Sequence, residues 1–133
     1  TFSLQVGAPG NQTVLIPRTL SSVRVDGDLG ETHWALRTAT QIRQGTPDNS
    51  VRFGLLWDPN YLYIAVEVTD DELVGGADGD AVEIFLDALH DGQAEFNSQH
   101  RHLRLTLDGS LWERGSRVSG IESATVPVPG GFR

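Results

Sequence analysis

The stretch Tyr61-Leu62-Tyr63-Ile64-Ala65-Val66-Glu67-Val68 alternates along its whole length. In an extended chain successive side chains point to opposite faces, so Leu62, Ile64, Val66 and Val68 share one face and Tyr61, Tyr63, Ala65 and Glu67 the other. That is a β-strand with one buried side. Residues 80–87 repeat the design, with Val82, Ile84 and Leu86 inward and Ala81, Glu83, Phe85 and Asp87 outward. Residues 100–107 do so again, placing Leu103, Leu105 and Leu107 inward and His102, Arg104 and Thr106 outward. Immediately upstream, residues 51–57 read as a strand that turns at Asp58-Pro59-Asn60. Pro presets the turn dihedral and Asn tolerates the unusual one, so a hairpin with residues 61–68 follows.

Further out, Asp26-Gly27-Asp28 is a turn, and residues 31–38 read as one or two helical turns carrying Trp34 inward. Residues 1–20 read as a leading strand and connector, and residues 123–133 as a strand fragment ending in a turn around Pro127, Pro129, Gly130 and Gly131. Short strands at this spacing predict an all-β fold. The expected architecture is an antiparallel β-sandwich, jelly-roll or immunoglobulin-like, with one short helical segment and one polar sheet face. At 133 residues the chain is expected to be a single domain, 1–133. No internal repeat and no low-complexity segment is visible.

Composition narrows the function classes. Cysteine is absent, which removes disulfides, thiolate metal sites and cysteine nucleophiles together. No run approaches the roughly 20 apolar residues of a membrane span, so none is expected. Net charge is −8, and all ten basic residues are arginine. Eleven of the 18 acids fall between Asp58 and Glu95, a band without a single arginine. Such a band repels phosphate backbones, so nucleic acid is not an expected partner.

Asp70, Asp71, Glu72, Asp78 and Asp80 concentrate carboxylates on a glycine-containing loop. Hard oxygen ligands on a flexible loop suit calcium rather than zinc or copper, so Asp70, Asp71, Asp78 and Asp80 are the candidate metal ligands, and structural calcium the expected cofactor. His90, His100 and His102 with Asp91 and Glu95 read as surface residues rather than a transition-metal set. Trp57, between a strand and a turn, reads as packing, whereas Trp112 follows Asp108-Gly109-Ser110 in a loop-rich region where an indole makes a binding platform. No catalytic residue is assigned. Glu83 and Asp87 share a face but are separated by about 13 Å of strand, beyond the usual glycosidase carboxylate spacing. No serine elbow, P-loop or dinucleotide fingerprint is present.

Val25-Asp26-Gly27-Asp28-Leu29 with Trp34, then Leu56-Trp57-Asp58-Pro59-Asn60-Tyr61-Leu62-Tyr63, then Asp80-Ala81-Val82-Glu83-Ile84-Phe85-Leu86-Asp87 resemble, in this order, the carbohydrate-binding modules of family nine. Arg101-His102-Leu103-Arg104-Leu105 matches more loosely, and the resemblance covers residues 22–109. It implies a β-sandwich that binds sugar between two tryptophans and carries calcium. It also implies that Glu83 and Arg104 are the polar sugar-binding pair and that Asp70 and Asp80 lie near a metal. One of the two tryptophan positions falls on Ala77 and the other beyond Arg133, where further C-terminal strands are expected. The surviving aromatics expected at the sugar are Trp112 first and Tyr63 second.

The expected function is a non-catalytic, calcium-stabilised module that binds an oligo- or polysaccharide. It is expected to be part of a larger multidomain protein that is extracellular, periplasmic or at the cell surface. The alternative is a sensor or adhesion sandwich that contacts protein instead of sugar. A haem-binding redox domain is a third reading, for which the chain offers only His33, His90, His100 and His102 as axial ligands.

Overall fold

In the computed structural model the chain is described over residues 2–4, 15–30, 34–38, 50–87 and 98–133. The described strands are β1 (Phe2–Leu4), β2 (Arg37–Thr38), β3 (Ser50–Trp57), β4 (Leu62–Thr69), β5 (Ala81–Asp87), β6 (His100–Thr106), β7 (Leu111–Glu113), β8 (Ser116–Arg117), β9 (Pro127–Val128) and β10 (Gly131–Phe132). They form two sheets, ordered β1-β5-β6-β7-β8 and β2-β3-β4-β10-β9. The pairings between these strands are antiparallel except β1 with β5, which run parallel along one edge of the first sheet, and Arg18 forms an isolated parallel bridge with Trp57.

The alternation read from the sequence sets the registers. In the β3–β4 hairpin Val51 lies opposite Val68 and Phe53 opposite Val66, so the apolar residues of both strands share a face. In the first sheet Val82 pairs with Leu105 and Ile84 with Leu103, facing inward, while Glu83 pairs with Arg104 and Phe85 with His102, facing outward. Val51, Val68 and Phe132 meet Val82 between the sheets, with Val66, Ile84 and Leu107 packed around them. Each such side chain contributes about 1.5–3 kcal/mol by leaving water.

Asp58 closes the hairpin turn: one carboxylate oxygen accepts the Asn60 and Tyr61 amides at 2.7 and 2.9 Å, and the other accepts the Tyr63 hydroxyl at 2.6 Å. The tail forms the β9–β10 hairpin, turning through Pro129 and Gly130, whose φ of 76° is open to glycine. Gly131 is buried against β4, and a Cβ there would overlap the Val68 carbonyl oxygen.

Two expectations are corrected. The helical segment over residues 31–38 is not seen in its described part: residues 34–36 are irregular, and Arg37 and Thr38 pair with Phe53 and Arg52 as a strand. The edge of β3 offers unpaired backbone groups there, and ladder pairing satisfies them. The β3–β4 hairpin also has more than one buried side. Leu56 and Ala65, on the face away from the first sheet, are buried. Gly54 explains why: without a side chain it leaves room for Leu36 and Trp34 to lie over that face.

Candidate functional site: a row across the outer face of the first sheet

Four consecutive strands each place one side chain in a single row. Glu83 of β5 is the register partner of Arg104 of β6, Arg104 of Trp112 of β7, and Trp112 of Arg117 of β8. Each alternates with an inward residue, so all four face outward. Arg104 Nη1 donates to Glu83 Oε1 at 2.8 Å, both side chains being partly buried. Its Nη2 donates to the carbonyls of Ala77 and Gly79 at 3.2 and 3.0 Å. The loop over residues 74–80 is thereby fastened onto the sheet. The Asp80 carboxylate helps by accepting the Val74 amide at 2.7 Å, and the Asp80 amide donates to the Val74 carbonyl at 2.7 Å.

At the other end of the row the Arg117 guanidinium lies 5.2 Å from the centre of the Trp112 ring, a cation–π arrangement that orients the indole. One step along the strands His102 stacks on Phe85 with ring centres 4.1 Å apart, and its Nε2 lies 3.5 Å from Oε2 of Glu83. Beyond them His100 is buried with Nε2 3.6 Å from Asp87, so the expectation of a surface histidine fails there. The row presents a fixed carboxylate acceptor, a forked donor and an aromatic face. That is the chemistry by which proteins hold polyhydroxylated rings.

The remaining sequence-predicted residues lie elsewhere. Tyr63 is on β4, in the second sheet, and does not join Glu83 and Arg104. Its hydroxyl donates to Asp58, and that hydrogen bond, ahead of desolvation, pushes its pKa up to about 12. The same bond holds the Asp58 carboxyl below the usual carboxylate range. Trp57 is partly exposed, with its indole nitrogen donating to the Ile16 carbonyl at 3.1 Å and Arg18 5.5 Å from its ring centre, so it fastens the connector.

Asp70 is buried and accepts the Glu72 amide at 3.1 Å, while Asp71 and Asp78 are exposed. Among the described residues no three His, Asp or Glu side chains gather as a metal set. Asp70 and Asp80 each use an oxygen on a backbone amide, and the carbonyls of Ala77 and Gly79 face Arg104. The acidic loop is thus tied by protein contacts. His33, His90, Asp91 and Glu95 lie outside the described residues.

Sequence reasoning did not find Arg117, because a two-residue strand carries no periodicity; only its pairing with Trp112 reveals it. Phe85 and His102 were readable as outward-facing, but nothing in the spacing says that they stack.

The family described as "Carbohydrate family 9 binding domain-like" matches residues 25–132. Among solved structures, a carbohydrate binding module family 9 from Caldicellulosiruptor kristjanssonii in complex with cellotriose superposes with a TM-score of 0.73 at 25% identity. The match covers 88% of this chain and 63% of that one. Among curated proteins, Exoglucanase XynX of Acetivibrio thermocellus is 32% identical over 83 residues, and Endo-1,4-beta-xylanase A of Thermoanaerobacterium saccharolyticum 30% over 83 residues. Each match takes in 59% of this chain but only 8% and 7%, respectively, of the relatives' own lengths. With its two packed sheets and a family match over residues 25–132, the chain belongs to the family 9 carbohydrate-binding domains.

Proposed function

We propose that this chain is a non-catalytic carbohydrate-binding module, joined to a larger extracytoplasmic protein, with its sugar site on the row of Glu83, Arg104 and Trp112. The observation that carries the reading is the 2.8 Å Arg104–Glu83 pair, with Trp112 as Arg104's partner on the next strand. The neighbouring solved structure holds cellotriose, so β-linked oligosaccharides are the first ligands to test. Both curated relatives are named as polysaccharide hydrolases, and a short module within such proteins works where the polymer is: outside the cell, in the periplasm or at the cell surface.

Each neutral hydrogen bond to a sugar hydroxyl nets only about 0.5–1.5 kcal/mol, because water is displaced from both partners. Stacking on Trp112 supplies the remainder, and with Ala77 offering no ring the affinity is weak. Calcium belongs to the same proposal as a stabiliser, on the density of carboxylates in residues 70–80; its ligands are not identified among the described side chains. Titration with cello- and xylo-oligosaccharides, followed by tryptophan fluorescence, tests the site. Binding is expected for the parent chain, with Arg104→Lys weakened because an ammonium cannot reproduce the fork, and Trp112→Ala abolished. No response to any sugar in the parent chain moves the reading to a sensor or adhesion domain.

A further inference from the structure

Two carboxylates of the first sheet are held by arginine in different ways. Glu113 is gripped at both oxygens: Arg101 Nε donates to Oε1 and Nη2 to Oε2, each at 2.8 Å. That fork sets the plane of the carboxylate. Arg104 divides its fork instead. Its Nη1 donates to Glu83 Oε1 at 2.8 Å, while its Nη2 is turned to the carbonyls of Ala77 and Gly79. The last torsion of a glutamate side chain has only a broad preference, so a hydrogen bond at one oxygen leaves the carboxylate plane to be set by whatever meets the other. His102 meets it: its Nε2 is buried and lies 3.5 Å from Glu83 Oε2. Across β5 and β6 His102 is the register partner of Phe85, two residues from Glu83 on the same face, and such diagonal pairs are within reach of a long side chain. The imidazole is itself held, stacked on Phe85 with ring centres 4.1 Å apart and planes 13° from parallel.

We propose that His102 is a positioning residue of the sugar site: its Nε2 edge holds Oε2 of Glu83 while Arg104 holds Oε1, so that the carboxylate meets the sugar already oriented. The inference rests on the reading of Glu83, Arg104 and Trp112 as that site, and adds to it a residue outside the row. A nitrogen attracts a carboxylate oxygen through the proton it carries, so the acting form of His102 has a proton on Nε2. Phe85 has no polar group for a sugar hydroxyl; its part is to keep the imidazole in place. The gain is one of preorganisation. A side chain that must be immobilised during binding reduces affinity by about twofold to tenfold, and a carboxylate held at both oxygens avoids that loss.

The test compares the parent chain with two variants. His102→Phe keeps a ring stacked on Phe85 and removes the donor, whereas His102→Gln supplies an amide nitrogen near the place of Nε2. In titrations with cello-oligosaccharides His102→Phe is expected to bind about twofold to tenfold more weakly than the parent, and His102→Gln to recover most of that loss. Equal affinity of the parent and His102→Phe overturns the proposal. So does a His102→Gln variant that binds no better than His102→Phe, because the effect then belongs to the ring and not to its nitrogen. The side-chain carboxylate carbon resonance of Glu83, measured without sugar, repeats the comparison: it is expected to shift in His102→Phe and to return toward the parent position in His102→Gln. No shift in His102→Phe overturns the proposal whether or not sugar binds. A shift with rescue, in a parent chain that binds no sugar, supports the hold of His102 on Glu83 and ends the sugar reading instead.

Discussion

Asp58 and Tyr63 show how much one side-chain pair governs. The carboxylate accepts two turn amides and the tyrosine hydroxyl, so the charged acid and the neutral phenol are the forms that fit. The folded pKa of Asp58 is depressed below 3.8, so its contribution to stability is present above that value and is lost as the pH falls through the folded pKa. The Tyr63 pKa is raised from 10.0 to about 12, so its contribution is present below pH 10 and is lost as the pH rises toward 12. Tyr63→Phe is expected to flatten the alkaline limb of a stability–pH curve while leaving sugar binding unchanged, because the hydroxyl belongs to the turn in the second sheet. Urea melts across the pH range measure the first; a loss of sugar affinity in the variant contradicts the second.

Strands β5 and β10 illustrate the element scale in different ways. On β5 the inward Ile84 packs against the core and the outward Glu83 pairs with Arg104. Ile84→Ala is expected to cost about 2–5 kcal/mol through the cavity it leaves. Glu83→Ala should keep the fold, as judged by circular dichroism and denaturant unfolding; the reverse pattern means that the strand is turned over. On β10 the constraint is the backbone. A Cβ at Gly131 would overlap the Val68 carbonyl, so Gly131→Ala is expected to destabilise by about 1–3 kcal/mol, the usual range for overpacking. Exchange of the Asp70 amide, held by Gly130, should accelerate in the same variant. Unchanged exchange there shows that the β9–β10 hairpin does not depend on the glycine.

At the scale of the whole molecule the dominant property is charge: −8 overall, with eleven acids between Asp58 and Glu95. Close carboxylates repel one another, and a cation that binds only the folded state stabilises it by mass action. Calcium added to metal-stripped protein is therefore expected to raise the melting temperature, and chelator to reverse the rise. A melting curve indifferent to both sinks the calcium proposal and leaves the loop over residues 74–80 held by protein contacts such as those of Arg104 and Asp80.

The local pattern of the chain determined β3, β4, β5 and β6, their facing and the hairpin at Asp58, because period-two alternation and turn chemistry act between near neighbours. Glu83 and Arg104 were legible as outward-facing for the same reason. Their pairing at 2.8 Å was not, since register between β5 and β6 depends on strands separated by the segment 88–99. Arg37 and Thr38 became a strand instead of a helical turn because the edge of β3 was there to be paired. Tyr63, ranked second to Trp112 among the aromatics expected at the sugar, parted from it only when the two strands entered different sheets. The density of acids in residues 70–80 was legible as charge, but which of their oxygens accept backbone amides was not. What only the tertiary structure decided is thus which outward faces become the same surface, because that depends on sheet order, which no local period encodes.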